Sequence, residues 1–210
     1  MDEEGTFGCV ITIENKKWYF KSKNETEGYQ FVNSFGKVDT IKNAESVIFT
    51  KHGELFTGRG YIWSRTLPLL KDHIILGSGP DTFAYIFPQN DYVGRYNNGF
   101  SNAIITKPHN MYLQIATQTG VISLIAFLSL YIMYFIDCLK VYYKSKFDTL
   151  VEQMGLLILI GSIGYMISGL INDSTVAVAP LYWLLIGVGF ACNRIIKEKR
   201  LRIKRIREMD

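Results

Sequence analysis

The sequence predicts a mainly α membrane protein, in which three transmembrane helices follow an extracytoplasmic α+β segment with a β-hairpin and an amphipathic helix. Three apolar runs carry most of this prediction: residues 120–139, 150–171 and 176–192. Their lengths are close to the ~20 residues that a helix needs to cross about 30 Å of hydrocarbon. Backbone groups in lipid must bond internally, so each run is predicted to be a helix.

The N-terminal segment shows two short runs with strand character on either side of a turn. Residues 8–14 and 17–21 are rich in β-branched and aromatic side chains, and Asn15-Lys16 separates them. This pattern predicts a β-hairpin. Residues 47–50 and 54–56 predict a second hairpin, and the polar residues 22–46 are expected to form a loop.

A helix is predicted over residues 60–72, with Thr57 as its N-cap. Pro68 is expected to kink this helix or to begin its second part. An apolar stripe at helical spacing runs along it, formed by Trp63, Leu67, Leu70 and Ile74. Such an amphipathic helix fits a membrane interface, and it fits equally well a helix that packs on its own domain.

Two polar segments follow this helix. Gly77, Gly79 and Pro80 form a turn whose backbone could approach a ligand closely, so that a phosphate loop and a plain turn are both open interpretations. Residues 88–102, which include Arg95, are rich in Asn, Tyr and Gly. They could offer amides and aromatic faces to a sugar, or they could form a solvated loop.

Residues 107–113 lead directly into the first apolar run. Pro108 suits the start of a helix and would place His109 and Asn110 in its first turn, at the outer membrane edge. Histidine is the side chain that most readily exchanges protons near neutral pH. His109 is therefore either a candidate for proton transfer or a structural residue.

The basic residues predict the orientation of the three spans. Residues 140–149 contain three lysines, residues 172–175 contain no basic residue, and eight basic residues follow Asn193. By the positive-inside rule, the 140–149 loop and the basic tail are cytoplasmic, and residues 1–117 are extracytoplasmic. The predicted divisions are residues 1–56 with the hairpins, 57–117 with the helix and motif residues, 118–193 with the spans, and the tail 194–210.

The charge distribution argues against a nucleic-acid partner. Residues 1–117 contain 12 basic and 12 acidic side chains, so the net charge of +4 belongs to the C-terminal part. A basic tail beside an apolar span is better explained by membrane lipids than by RNA. The sequence predicts no metal site, because no cluster of His, Cys and carboxylates has ligand spacing. The start of the chain has no export signal, so we expect upstream transmembrane segments and interpret the chain as the C-terminal part of a larger protein.

Several segments together resemble the O-antigen ligase and polymerase family of bacterial surface-polysaccharide enzymes. The resemblance lies in Thr-Gly-Arg-Gly-Tyr-Ile-Trp at 57–63, in the run 72–83 around Leu-Gly-Ser-Gly-Pro, in His-Asn-Met-Tyr-Leu-Gln at 109–114, and in Gly-Val-Ile-Ser-Leu at 120–124. It covers about residues 55–135. Members of this family are multi-pass inner-membrane enzymes that use neither a metal nor a nucleotide-sugar cofactor. They move a glycan from undecaprenyl pyrophosphate to a hydroxyl of an acceptor glycan or lipid.

The resemblance also implies roles for particular residues. His109 would be the general base that takes the proton of the attacking hydroxyl. Arg59 would contact the pyrophosphate of the carrier. Asn110, Gly77, Gly79 and Arg95 are the other candidate substrate-binding residues.

Two further classes of function stay open from the sequence. The chain could be a non-catalytic membrane module for assembly or binding, or the inactive remnant of a split gene. A transporter is a third class, but the acidic residues Asp137, Glu152 and Asp173 lie at the ends of spans, so no ion relay within the membrane is evident.

Overall fold

The computed structural model describes residues 7–13, 15–22, 28–49 and 51–209. Of the described residues, 55% are helical, and three apolar helices follow a small antiparallel sheet, as the sequence predicts. The chain divides into two compact units. The first comprises the chain up to Pro68 together with Ala84–Thr106, and the second comprises Leu69–Phe83 together with the chain from Lys107 onward.

The first unit contains a four-stranded antiparallel sheet with the order β1-β2-β3-β4. Strands β1 (Phe7–Ile13) and β2 (Lys16–Ser22) pair with Val10 opposite Tyr19, which confirms the predicted first hairpin. Position 14 of that prediction lies outside the described residues. The turn residue Asn15 has a left-handed backbone (φ 66°), a conformation that asparagine tolerates well.

Two short strands lie where the sequence predicts a loop. Strands β3 (Gln30–Val32) and β4 (Val38–Asp39) extend the sheet beyond β2, so this part of the prediction is wrong. Strands of three and two residues are too short to show an apolar–polar alternation. Phe31 nevertheless stabilises the position of β3, because its ring packs on Trp18 and Phe20 of β2.

The predicted second hairpin is also wrong, because its later half is helical. Helix α1 (Leu55–Leu69) begins where the second strand of that hairpin was expected, and of its earlier half the structure describes residues 47–49, which are not in a strand. Position 50 lies outside the described residues. Thr57 is not an N-cap: its φ of 60° is left-handed, whereas an N-cap has an extended backbone. Phe56 and Gly58 share this left-handed conformation, so α1 is regular only after Gly58.

Helix α1 is present where the sequence predicts a helix, but its burial is not confined to one apolar stripe. Tyr61–Ser64 are buried consecutively, whereas Ile74 is 54% exposed. Trp63 packs on Phe49 and Phe56, and Tyr61 packs on a different pair of rings, Phe87 and Phe100. The helix ends one residue after Pro68, and a 3-10 turn (Leu70–Asp72) follows it.

Two short helices complete the N-terminal half of the chain: α2 (Phe83–Ile86) and α3 (Tyr92–Asn97). Helix α3 packs on one face of the sheet through its aromatic residues. The ring centroid of Tyr92 lies 4.7 Å from that of Phe31, and Tyr96 meets Trp18 edge to face. These contacts build the core of the first unit from aromatic rings, which bury a large area each.

The second unit is helical and contains the three predicted spans. They are α5 (Val121–Tyr142), α6 (Leu150–Ser168) and α7 (Ala179–Arg207), and within the described residues these are the helices long and apolar enough to cross a membrane. Their lengths correspond to about 33, 28 and 43 Å at 1.5 Å per residue. Helix α7 continues through the segment predicted as a separate tail, because residues 194–207 contain no helix-breaking Gly or Pro.

A separate short helix, α4 (Met111–Thr119), precedes the first span. The expectation that residues 107–113 run directly into that span is therefore wrong. Gly120 interrupts the helical path with a φ of 105°, which a glycine adopts without the steric cost of a Cβ.

The spans pack through a buried cluster and expose apolar side chains around it. Tyr134 and Tyr142 of α5 lie in this cluster, and their hydroxyls approach Gly189 of α7 and Gly155 of α6, where a Cβ would leave no room. Small residues allow such close approach between membrane helices. Outward-facing Met133 and Leu157 are 68% and 67% exposed, as expected of side chains that contact lipid.

Candidate functional site

The predicted base His109 forms a pair with an acidic residue from the α6–α7 connection. Its Nδ1 atom lies 3.0 Å from Oδ2 of Asp173. The carboxylate is buried, with 7% of its side chain exposed, while the imidazole is 47% exposed. Oδ1 of Asp173 has no hydrogen-bond partner among the described residues. Within that part of the chain, the carboxylate therefore makes its polar contact with His109, through Oδ2.

The backbone places His109 just outside a helix rather than in its first turn, which corrects the prediction. Asn110 is the N-cap of α4: its side-chain oxygen accepts a hydrogen bond from the backbone N–H of Leu113 at 2.9 Å. His109 has a φ of 51°, an uncommon conformation for a residue with a Cβ. Such local strain persists only where surrounding contacts hold the backbone.

Those contacts come from the α6–α7 connection, which is bonded to the first turn of α4. The Asn110 side chain donates to the carbonyl of Leu170 at 2.8 Å, and the backbone N–H of Met111 donates to the carbonyl of Gly169 at 2.8 Å. Gln114 accepts from the N–H of Ser174 at 2.8 Å and donates to its carbonyl at 3.3 Å. The segment that carries Asp173 is therefore fixed against α4 on both sides of the carboxylate.

This arrangement gives His109 the features of an oriented base. When Nδ1–H donates to the Asp173 carboxylate, the other ring nitrogen, Nε2, is left as a proton acceptor. A buried carboxylate in this position fixes the tautomer and stabilises the imidazolium that forms when the ring takes up a proton. The imidazole is half exposed, so a substrate could approach the ring.

The glycine turn lies at the other end of α4. The N–H groups of Ser78 and Gly79 donate to the carbonyls of Thr117 and Gln118, at 2.8 and 3.0 Å. These bonds satisfy carbonyl groups that the last turn of a helix leaves without partners. Both amides are thus used within the fold, which favours a structural turn over a phosphate loop.

Gly77 and Gly120 let two backbones meet at this end of the helix. A Cβ on Gly77 would collide with backbone atoms of Gln118 and Thr119, and one on Gly120 would lie 2.5 Å from the carbonyl oxygen of Ile75. Helix α4 is about 13 Å long at 1.5 Å per residue. The structure therefore separates the glycines from His109 and Asn110 by this helix, and their predicted contact with substrate stays a prediction.

Arg59 belongs to the first unit, and its guanidinium has no polar partner among the described residues. It follows the left-handed Gly58 at the start of the regular part of α1 and is partly exposed. Within the described part of the chain it forms no ion pair and no side-chain hydrogen bond. Its five N–H donors are available to an anionic ligand.

Arg95, by contrast, is engaged in the fold of its own segment. Its side chain is buried, and the guanidinium donates to the carbonyl of Gln89 at 2.6 Å and to the carbonyl of Ala103. The Arg95 side chain therefore forms hydrogen bonds with the backbone near both ends of the 88–102 segment. Nε of Arg95 has no partner among the described residues, and a role in substrate binding stays a prediction.

Another ion pair, which is largely buried and which the sequence did not reveal, involves a residue of this segment. Arg65 Nε is 3.0 Å from Oδ2 of Asp91, and the same oxygen accepts the hydroxyl proton of Tyr61 at 3.0 Å. Burial, followed by the nearby Asp91 charge, raises the pKa of the Tyr61 hydroxyl well above its ordinary value, so that Tyr61 stays a donor. Asp91 also caps α3 by accepting from the N–H of Gly94.

Asp173 is the partner of His109 that the sequence interpretation missed. A usable signal was present: an acidic residue in a short connection between two apolar runs, on the same predicted side of the membrane as residue 109. No group of three or more His, Cys, Asp or Glu side chains among the described residues could hold a metal ion.

Comparison with models of known protein families gives a match. The family model for O-antigen ligase matches residues 10–128, which is more than half of the 210-residue chain. No curated protein and no solved structure matches. Together with the three apolar helices, the match indicates a multi-pass membrane protein with a role in glycan processing. The chain belongs to the O-antigen ligase family.

Proposed function

We propose that this protein acts in the assembly of bacterial surface polysaccharide, as a ligase or polymerase that moves a glycan from undecaprenyl pyrophosphate to an acceptor hydroxyl. The observation that carries the proposal is the pair of His109 and Asp173, with Nδ1 and Oδ2 3.0 Å apart and the imidazole half exposed. The family match supports the membrane context and the lipid-linked glycan.

In the proposed reaction, the acceptor oxygen attacks the anomeric carbon of the carrier-linked sugar. A new glycosidic C–O bond forms as the bond to the pyrophosphate oxygen breaks, and the electron pair leaves with undecaprenyl pyrophosphate. The hydroxyl proton passes to Nε2 of His109, while Asp173 stabilises the resulting imidazolium. A single displacement of this kind inverts the anomeric configuration.

Arg59 is proposed to bind the pyrophosphate of the carrier. Charge accumulates on this group as it leaves, and a guanidinium can stabilise it through paired hydrogen bonds. This role is supported by the Arg59 guanidinium, which is partly exposed and has no polar partner in the part of the chain that the structure describes. Asn110 contributes by fixing the first turn of α4 beside the base.

The proposed setting is the bacterial cytoplasmic membrane, with residues 1–117 on its outer side and the end of α7 in the cytoplasm. The basic residues of the α5–α6 loop and of α7 support this orientation. The connection that carries Asp173 contains no basic residue, which agrees with a place on the outer side beside His109.

The experiment that tests the proposal replaces His109 or Arg59 by Ala in the full-length protein and follows surface-glycan length on gels. We expect each variant to lose the long glycan species, because the base or the anion contact is missing. His52→Ala is the matched control, since His52 is an exposed histidine in a turn. Wild-type glycan in both the His109 and the Arg59 variants would overturn the catalytic assignment.

A further inference from the structure

A basic crevice lies in the second unit between the α5–α6 loop and the C-terminal part of α7. Its volume is about 770 Å³, within the ~300–1,000 Å³ range of small-molecule sites. Two acidic residues, Asp148 and Glu152, also line it. The basic side chains around it number five and exceed the acidic ones by three: Lys144, Lys146, Lys199, Arg200 and Arg207.

The loop side of the crevice is held in place by its own hydrogen bonds. Thr149 and Glu152 form a capping box at the start of α6, and Ser145 donates to the other oxygen of Glu152 at 2.7 Å. Arg200 Nη2 approaches the same carboxylate at 4.0 Å. Glu152 is therefore already occupied by donors from the loop, and it neutralises little of the remaining charge.

The other basic side chains of the crevice have no acidic partner within the described part of the chain. Lys144, Lys146, Lys199 and Arg207 form no ion pair there, although α7 carries two ion pairs between residues four apart, Arg194 with Glu198 and Lys204 with Glu208. Cations grouped around a concave surface repel one another unless an anion lies between them. The crevice is thus a site of unbalanced positive charge.

Apolar side chains of the membrane-spanning helices also line the crevice and form its apolar wall. They include Val151 of α6 and Ile196 and Ile203 of α7. Helix α7 has no break between its apolar part and residue 207, and α6 begins at the crevice. The crevice therefore lies beside the start of α6 and along the part of α7 that follows its apolar residues, and both apolar and basic side chains line it.

We propose that this crevice binds the headgroup of an anionic phospholipid of the surrounding membrane. Its cations would contact the phosphate, and its apolar wall would contact the upper part of the acyl chains. This combination favours a lipid over a soluble phosphate, which would use the cations and leave the apolar wall exposed. The site is distinct from His109, and its existence does not depend on the glycan reaction.

The test measures binding of short-chain phosphatidylglycerol to the full-length protein in detergent by native mass spectrometry. The crevice variant is Lys146→Gln/Arg207→Gln. The matched control is Arg202→Gln/Arg205→Gln, which removes the same charge from the same region of α7 but from two side chains that do not line the crevice. Because all four side chains are exposed, both variants should fold.

We expect the crevice variant to bind phosphatidylglycerol roughly 25-fold more weakly, at about fivefold for each basic residue removed near a membrane surface. The control variant should bind like wild type, and zwitterionic phosphatidylcholine should bind weakly to all three proteins. Equal weakening in both variants would overturn the crevice in favour of a diffuse basic surface. Equal displacement by inorganic phosphate at the same concentration would overturn the lipid in favour of a soluble anion.

Discussion

Replacing Asp173 by Asn tests whether glycan transfer needs the carboxylate that orients His109, while the imidazole itself is kept. Asparagine keeps the size of the side chain but loses the charge that faces Nδ1 at 3.0 Å. Hydrogen bonds to charged groups contribute about 1.5–3 kcal/mol. At 1.36 kcal/mol per tenfold change in rate, loss of this contribution in the transition state slows glycan transfer roughly 10- to 150-fold.

The assay is transfer of labelled lipid-linked glycan in membranes that contain the full-length variants. We expect kcat to fall and KM to change little, because Asp173 contacts the base and not the glycan. Asp72→Asn is the matched control: it removes an exposed carboxylate of the same unit that has no ion pair among the described residues.

A double variant tests whether Asp173 acts through His109. If it does, His109→Ala/Asp173→Asn is no slower than His109→Ala alone, since groups that act as a unit are not additive. Additive losses, or a wild-type rate for Asp173→Asn, would show that Asp173 does not act through His109.

Three further predictions concern stability, measured by thermal unfolding in detergent. Gly77→Ala should lower the free energy of unfolding by about 3 kcal/mol or more, because the added Cβ would meet fixed backbone atoms. Gly161→Ala, whose Cβ would have open space, should leave the stability unchanged or raise it. Equal effects of the two substitutions would contradict the close approach at Gly77. Asp91→Ala should lower the free energy of unfolding by about 3–5 kcal/mol, because it leaves the largely buried Arg65 without its ion-pair partner. A loss below 1 kcal/mol would indicate that the ion pair is unimportant for stability. Asn110→Ala should cost about 1 kcal/mol as a lost N-cap; unchanged stability would contradict that role.

The parts of the fold that follow from repeating patterns could be predicted from the sequence. The three spans are long apolar runs, and the first hairpin joins two strands of seven residues across a short turn. Strands β3 and β4 are too short to show a period, and Phe31 reveals its place only through its contacts with β2. At residues 47–56 the sequence has strand-forming composition, but the left-handed residues Phe56–Gly58 redirect the chain into α1.

Only part of the candidate site could be predicted from the sequence, because some of its residues come together only in the folded chain. His109 lies in a recognisable motif, whereas Asp173 is 64 positions further along the chain, so only tertiary structure brings it to the ring. The glycines of the 77–80 turn could be predicted as a turn, but their packing against α4 depends on a helix end that sequence alone did not place. The burial of Arg95 likewise follows from backbone carbonyls that converge only in the fold.

The proposed mechanism depends on His109 as the base of glycan transfer. Its most direct test uses the purified full-length protein in vesicles that contain undecaprenyl-pyrophosphate-linked glycan and an acceptor, with single-turnover transfer measured for wild type and His109→Ala. We predict that the variant still binds the lipid-linked glycan and transfers it roughly 10²- to 10⁴-fold more slowly. Transfer by His109→Ala within about twofold of the wild-type rate, at equal binding, would contradict the mechanism, because that difference is under 0.5 kcal/mol in barrier.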